Sequence, residues 1–236
     1  MRTLGTWARW LFTLCLPVLF ITTSIAGAVN SRWLYSYGFA KYQVSQTTGL
    51  PPSELKKTAT GLISYFNSDE EHISLTIVKD GKSMVLFNQR EVAHLKDVKD
   101  LIRLDYRVAL GTLVYVLAYA GVSLLWRRKR YWRSLARGAV WGSGITLGLM
   151  LVLALGTLFN FDQLFLQFHL FSFSNELWQL DPAKDYLIML FPQGFWYDAT
   201  LFIAISAAGM TLIIGGVSER YWLSRRESPP SPTDQQ

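Results

Sequence analysis

The sequence predicts an α-helical membrane protein with four transmembrane helices and a small α+β extracytoplasmic domain between spans one and two. Half of the 236 residues are hydrophobic and only 17% are charged, whereas soluble domains carry about 25% charged residues. Charge is missing from four runs, each long enough for a helix to cross the bilayer core, which takes about 20 mostly apolar residues. These runs are 10–29, 108–126, 138–161 and 199–217.

Basic residues flank these runs unequally, and this predicts the orientation. Eleven Lys and Arg residues lie before the first run, between the second and third, or after the fourth, whereas residues 160–198 hold only Lys184. Because such an excess marks the cytoplasmic side, we expect both termini inside. Residues 30–107 carry 11 basic residues of their own, but long segments are translocated largely regardless of charge.

The runs and their flanks divide the chain into eight predicted segments. They are a cytoplasmic N-terminus with span one (1–29), an extracytoplasmic α+β domain (30–107), span two (108–126), a basic cytoplasmic loop (127–137), span three (138–161), an extracytoplasmic aromatic segment (162–198), span four (199–217) and a disordered cytoplasmic tail (218–236). Span one has an alternative, because Ala26-Gly27-Ala28 has the small residues of a signal-peptide cleavage site. Its 20 apolar residues favour a retained span, since the apolar core of a signal peptide is shorter.

Both predicted outer segments contain sequence patterns that predict local structure. In the first, apolar residues at helical spacing follow Pro51-Pro52-Ser53 and recur around His94, and Asp80-Gly81 between two alternating runs predicts a hairpin turn. The second segment has ten aromatic residues between Phe165 and Tyr197. Such rings fit a belt at the membrane–water boundary or a re-entrant segment. Alternatively, some of them line a site for acyl chains.

Several classes of soluble function lack their motifs in this sequence. The one cysteine, Cys15, lies inside the first apolar run, so neither a disulfide within the chain nor a CxxC metal site is possible. The sequence has no Walker-type, GxGxxG, HExxH or GxSxG motif. The net charge of +6 clusters beside the apolar runs, which suits membrane topology rather than nucleic-acid binding. We therefore expect no cofactor, no metal and no nucleic-acid partner.

Three histidines are candidates for chemistry, and the predicted topology places all of them outside. His72 stands among acidic residues and is expected to be solvated. His94 and His169 lie near the outer membrane boundary, where each is either an interfacial ring bonded to a carbonyl or one member of an acid–base pair. Glu91 and Asp97 flank His94 by three residues on either side, which is close enough along a helix to orient its ring. Alternatively, Asp97 belongs to a solvated charged face of the helix and does not orient the ring.

Two stretches around these histidines form longer patterns. The first is Asn88-Gln89-Arg90-Glu91-Val92-Ala93-His94-Leu95-Lys96-Asp97-Val98. The second contains Phe168-His169, Phe173-Ser174-Asn175-Glu176-Leu177-Trp178, Asp181-Pro182, Asp185-Tyr186-Leu187-Ile188 and Phe191-Pro192-Gln193-Gly194-Phe195-Trp196-Tyr197-Asp198. Together with the layout of spans and loops, they resemble the signatures of a family of small bacterial four-span membrane proteins. Its characterised members are the lipoprotein intramolecular transacylases, known as Lit. Glu176 stands where the family pattern has aspartate.

The resemblance implies an acyltransferase of the bacterial cell membrane. Its substrate is a lipoprotein whose N-terminal cysteine carries a diacylglyceryl group, and one ester-linked acyl chain moves to the α-amino group of that cysteine. His94 and His169 are then the catalytic residues, with His94 favoured as base and His169 as stabiliser or acid, although the reverse is nearly as well supported. Asn175 and Trp178 support His169, and Asp185 belongs to the same supporting or substrate-binding group as Glu91 and Asp97.

The resemblance implies lipoproteins and membrane lipids as partners and no obligate protein partner. One alternative is a non-catalytic membrane protein whose extracytoplasmic domain binds a partner. Transport is disfavoured because none of the four apolar runs contains a charged residue, whereas polar residues usually mark a translocation path.

Overall fold

The structure, a computed structural model, describes residues 2–125 and 129–224. Eight helices and one two-stranded sheet lie within these residues. In chain order the elements are α1 (Arg2–Val29), α2 (Arg32–Lys41), α3 (Val44–Thr48), α4 (Pro52–Asn67), β1 (Thr76–Lys79), β2 (Lys82–Val85), α5 (Gln89–Leu125), α6 (Lys129–Ser172), α7 (Tyr186–Leu190) and α8 (Gln193–Ser224).

Four of the helices are long and apolar enough to cross a membrane. They contain Gly5–Val29, Gln89–Leu125, Trp132–Ser172 and Gln193–Arg220. Each predicted span matches one of them, although Trp126 at the end of span two lies outside the described residues. The prediction of a helical membrane protein with four spans and a small sheet is confirmed. The protein is therefore a multi-pass membrane protein.

The helices continue well beyond the predicted spans. α5 joins the predicted outer helix around His94 to span two without a break, and α6 carries span three on to Ser172, with a non-helical residue at Asn160 (φ −157°, ψ 72°). Residues 129–137 of the predicted basic loop and 218–224 of the predicted tail are helical, because Arg, Lys, Leu and Ala are good helix formers. The rest of these two segments, 127–128 and 225–236, lies outside the described residues.

The chain divides into two compact units, and the first contains parts of all four long helices. It consists of Met1–Thr23, Val108–Val152 and Ala204–Gln236. α1 contacts α5 through the stacked rings of Phe12 and Tyr119, whose centroids are 4.7 Å apart. It approaches α6 closely at Gly142, where an added Cβ atom would lie 2.8 Å from a methyl group of Leu16. Small residues allow such close packing between membrane helices.

The second unit combines the two segments that were predicted to lie outside around one apolar core. It consists of Ser24–Arg107 and Leu153–Ile203. Residues from α2 to α5 form this core together with residues from α7 and the start of α8. Tyr35 of α2, for example, packs edge-on against Phe191, with ring centroids 5.6 Å apart. These two predicted outer segments therefore share one core, and this positions them for a common site.

Local signals explain the ends of the elements in the second unit. Pro52 is the first residue of α4, where its missing N–H costs no hydrogen bond. Asp80 and Gly81 connect β1 to β2 with φ values of 52° and 76°, the left-handed pair that a two-residue hairpin turn needs. α2 and α3 were not predicted. α2 begins at a Ser31 cap, whose hydroxyl accepts a hydrogen bond from the Leu34 N–H.

Candidate active site

His94 lies in the second turn of α5 and faces the interior of the second unit. Only 7% of its surface is exposed. The ring of Phe173 packs edge-on against it, with centroids 5.1 Å apart. Nδ1 of His94 is buried and has no hydrogen-bond partner among the described residues.

His169 lies near the end of α6 within a group of aromatic rings. It is 8% exposed, and its Nδ1 lies 2.8 Å from the backbone oxygen of Phe165. The neighbouring rings are those of Phe165, Phe168, Phe173 and Trp178, with centroids 4.3, 5.3, 5.7 and 4.9 Å away. These rings and the hydrogen bond to the Phe165 carbonyl oxygen fix the orientation of the imidazole.

The two imidazoles face each other although 75 positions separate them in the sequence. Their centroids are 6.4 Å apart and their planes differ by 31°. Phe173 contacts both rings. At this separation both histidines can contact one small reacting group.

The surroundings of the rings favour opposite neutral tautomers. A carbonyl oxygen only accepts, so Nδ1 of His169 donates to Phe165 and Nε2 of the neutral ring carries the free lone pair. An N–H on the buried, unpartnered Nδ1 of His94 would be an orphaned donor, and such donors are rare. The neutral His94 ring is therefore expected to carry its proton on Nε2. Burial of both rings disfavours the imidazolium form.

The two expected tautomers can be measured in the free protein without an activity assay. In long-range proton–nitrogen spectra of the protein labelled with ¹⁵N-histidine, we expect the unprotonated nitrogen of His169 to be Nε2 and that of His94 to be Nδ1. Spectra of His94→Gln and His169→Gln variants assign the signals, and His72 supplies the pattern of an exposed ring. The same tautomer at both positions would contradict the assignment.

Glu91 joins the start of α5 to the start of α7. Its carboxylate accepts hydrogen bonds from the N–H groups of Asn88 (2.8 Å) and Leu187 (2.6 Å) and is only 1% exposed. Asn88 in return accepts from the Glu91 N–H at 3.1 Å. This reciprocal arrangement is a capping box at the first turn of α5.

Further hydrogen bonds hold residues 175–185 against the same end of α5. Nδ2 of Asn175 donates to Asp97 (2.9 Å), and a guanidinium nitrogen of Arg90 donates to the carbonyl oxygen of Glu176 (2.7 Å). Nδ2 of Asn88 donates to Asp185 at 2.8 Å. We call these bonds and those of Glu91 the α5 clamp. Because His94 is on α5, the clamp keeps it close to the segment that follows His169.

The structure brings together all seven predicted site residues but gives some of them other partners. Trp178 packs on His169 as expected, whereas Asn175 bonds to Asp97 and not to His169, whose Nδ1 already bonds to Phe165. Glu91, Asp97 and Asp185 all belong to the α5 clamp. No carboxylate forms a hydrogen bond to either ring among the described residues.

Sequence reasoning missed four residues that shape the site. These are Asn88, Arg90, Phe165 and Phe173. The Asn-x-x-Glu spacing of 88 and 91 is a readable capping signal. Nothing in the sequence distinguishes Phe165 and Phe173 from the neighbouring aromatic residues. As for metals, the described residues contain no group of three or more His, Cys, Asp or Glu side chains that could hold an ion.

The protein is thus a multi-pass membrane protein with four long apolar helices. Its candidate acid–base site consists of two neighbouring imidazoles that are surrounded by aromatic side chains. The family model described as lipoprotein intramolecular transacylase Lit matches residues 10–196. The chain therefore belongs to the lipoprotein intramolecular transacylase Lit family.

Relatives cover nearly the whole chain. A protein of Aquifex aeolicus (strain VF5), described as uncharacterized, is 27% identical over 225 residues, which are 91% of this chain and 97% of that protein. The in meso structure of the membrane integral lipoprotein intramolecular transacylase Lit from Bacillus cereus has a TM-score of 0.78 at 17% identity, covering 96% of this chain and 99% of that one. A variant of that protein with one histidine replaced by arginine has a TM-score of 0.74 at 19% identity, covering 95% and 94%. The family match supports lipoprotein intramolecular transacylation as the function, and the likeness to the solved structures shows the same fold.

Proposed function

We propose that this chain moves an ester-linked acyl chain of a lipoprotein's diacylglyceryl group to the α-amino group of its N-terminal cysteine, with His94 and His169 as the catalytic residues. The observation that carries the proposal is the 6.4 Å separation of the two rings inside one compact unit. Membership of the Lit family supports the reaction class. No observation favours a purely partner-binding role.

The reaction needs proton transfer and charge stabilisation but no nucleophile from the protein. The substrate amine attacks the ester carbonyl carbon, forming the C–N bond, and the tetrahedral intermediate then breaks the C–O bond to release a glyceryl alkoxide. The ammonium form of the amine, with an ordinary pKa of about 8, must first be deprotonated, and the neutral amine then loses a second proton as it attacks the ester. That proton ends on the alkoxide, so one ester and one amine become one amide and one alcohol without a co-reactant.

The expected tautomers support a different role for each histidine. The lone pair on Nε2 of His169 takes the amine proton, and the resulting imidazolium returns it to the leaving alkoxide. The proton on Nε2 of His94 donates a hydrogen bond to the oxyanion of the intermediate. This assignment is the reverse of the one that the sequence favoured weakly, and the bond from His169 to Phe165 is the reason.

Positioning supplies a further part of the rate enhancement. Amine and ester belong to one substrate molecule, so binding that aligns them makes the attack effectively unimolecular. The aromatic rings around His169 offer an apolar surface for acyl chains. Phe171, which is 95% exposed, and Leu170, which is 56% exposed, extend this surface outward from the site.

The proposal includes a location. We place the protein in a bacterial cell membrane with both termini cytoplasmic, and the two outer segments on the extracytoplasmic side. The excess of basic residues on the termini and on residues 127–137 supports this orientation. Lipoproteins carrying a diacylglyceryl group would reach the site from that face.

One experiment tests the proposed reaction. The chain is expressed in a bacterium that lacks the activity, and N-terminal peptides of its lipoproteins are analysed by mass spectrometry. We expect an N-acylated cysteine that carries a monoacylated glyceryl group, formed without change in total acyl content. Unchanged lipoproteins in cells that contain the protein in the membrane would contradict the proposal.

Asn175→Ala tests the α5 clamp in the same assay. The change removes the bond to Asp97 and the acceptor for the Leu177 N–H, 3.0 Å away. The segment after His169 is then held less firmly against α5, which carries His94. We expect the rate to fall about tenfold, since small misplacements near reacting groups are costly. Gln46→Ala, which removes an exposed amide side chain elsewhere in the second unit, is the matched control and should retain the wild-type rate.

A further inference from the structure

A polar pocket that contains neither histidine lies beside the turns of α5 that directly precede its apolar run. Its lining residues are Phe66, Asn67, Asp69, Arg103, Tyr106 and Arg107, and its volume is about 380 Å³. This volume is within the usual range of small-molecule sites, roughly 300–1,000 Å³. All six residues belong to the second unit.

Two arginines give this pocket its charge. Arg103 and Arg107 are one helical turn apart on α5 and so lie on the same face. Nη2 of Arg103 donates to Ser68 O (2.6 Å) and to Asp69 (3.0 Å). The guanidinium of Arg107 has no hydrogen bond or ion pair to any described residue. Since a guanidinium has five N–H donors, most of the donors in the pocket are unused.

The one acidic residue of the lining opposes this charge only weakly. The Asp69 carboxylate is fully exposed where it meets Arg103, and exposed ion pairs contribute little to stability. A phosphate oxygen could replace it, because guanidinium groups bind phosphates in a bidentate fashion.

The position of the pocket along α5 indicates the source of the phosphate. The charge-free run of α5 begins at Val108, directly after Arg107, so the two arginines directly precede the predicted span, beside the lipid phosphates that guanidinium groups bind. Phe66 and Tyr106 add apolar surface beside the guanidinium groups. A phospholipid therefore fits the pocket with its phosphate at the arginines and its apolar part beside Phe66 and Tyr106.

We propose that Arg103 and Arg107 form a binding site for the phosphodiester headgroup of an anionic phospholipid, separate from the histidine site. The full-length protein, purified in detergent, is titrated with dioleoylphosphatidylglycerol and analysed by native mass spectrometry. Dioleoylglycerol, which lacks the phosphate, and inorganic phosphate are the comparison probes. We expect tight binding of the phospholipid, weaker binding of dioleoylglycerol and no displacement by millimolar phosphate.

Substitutions locate the bound lipid. Arg107→Gln should raise the apparent Kd for phosphatidylglycerol about fivefold, and the double variant with Arg103→Gln should raise it further. Lys56→Gln with Lys82→Gln removes two exposed charges elsewhere in the second unit and should leave the Kd unchanged. Arg107→Gln keeps every described bond, so its thermal unfolding should match that of the wild type.

Three outcomes would overturn the proposal. Equal binding of the two glycerolipids would mean that the phosphate is not recognised. Displacement by inorganic phosphate at equal concentration would identify a soluble anion as the occupant. An unchanged Kd in a folded Arg103→Gln, Arg107→Gln variant would place the lipid elsewhere.

Discussion

His169→Gln is expected to lower the transacylation rate about 10²–10⁴-fold, the usual contribution of a general acid–base residue. A glutamine amide has no basic nitrogen that could take the amine proton. His94→Gln is expected to lose much less, about tenfold, because its amide N–H can still donate to the oxyanion. His94→Ala, which has no donor, should lose about 10²–10³-fold. The two positions are therefore expected to differ in how much of the transacylation rate a glutamine retains.

The rates are measured as the appearance of N-acylated lipoprotein peptides over time. His72→Ala is the matched control, since this exposed histidine lies outside the site, and it should retain the wild-type rate. Thermal unfolding in detergent shows whether each variant is folded. If His169→Gln retains activity while His94→Gln is inactive, the two roles are the reverse of those proposed. If both alanine variants remain active, neither ring takes part in the reaction.

Much of the fold could be predicted from the sequence because local signals determine it. Four charge-free runs define the spans, and Asp80-Gly81 defines the hairpin turn, which the structure contains between β1 and β2. α2 was harder, because its mixed aromatic and polar sequence, Arg32–Lys41, shows no clear helical face. The continuity of α5 was also hidden, since a change from polar to apolar residues does not by itself end a helix.

The site could be predicted only in part, because it depends on contacts between distant segments. Their predicted position at the outer membrane boundary made His94 and His169 candidates, and the resemblance implied a catalytic role, but no local pattern gives a distance between residues 75 positions apart. The partners of the polar side chains were least predictable. Asn175 was expected to support His169, yet it bonds to Asp97, and the partner of His169 Nδ1 is the backbone carbonyl of Phe165. Side-chain partners follow from the packed core, and the sequence does not show that packing.

Glu91→Ala is expected to destabilise the second unit by about 2–3 kcal/mol, since hydrogen bonds to charged groups are worth about 1.5–3 kcal/mol and their loss leaves buried donors unpaired. The carboxylate is almost fully buried, and it accepts from Asn88 at the start of α5 and from Leu187 in α7. Without it, both N–H groups lose their acceptor and the α5 clamp loses its most buried member. The apparent Tm in detergent, followed by circular dichroism, should fall by several degrees.

Glu91→Gln distinguishes the hydrogen bonds from the charge. The glutamine oxygen can still accept from one of the two N–H groups, so this variant should lose roughly half as much stability as the alanine variant. Glu70→Ala removes an exposed carboxylate from the same unit and should change the Tm little. Activity should fall with the Tm in both Glu91 variants, because the capping box that fixes the first turn of α5 also fixes His94 one turn later. A Glu91→Ala variant with wild-type Tm and reduced activity would instead place Glu91 in the chemistry itself.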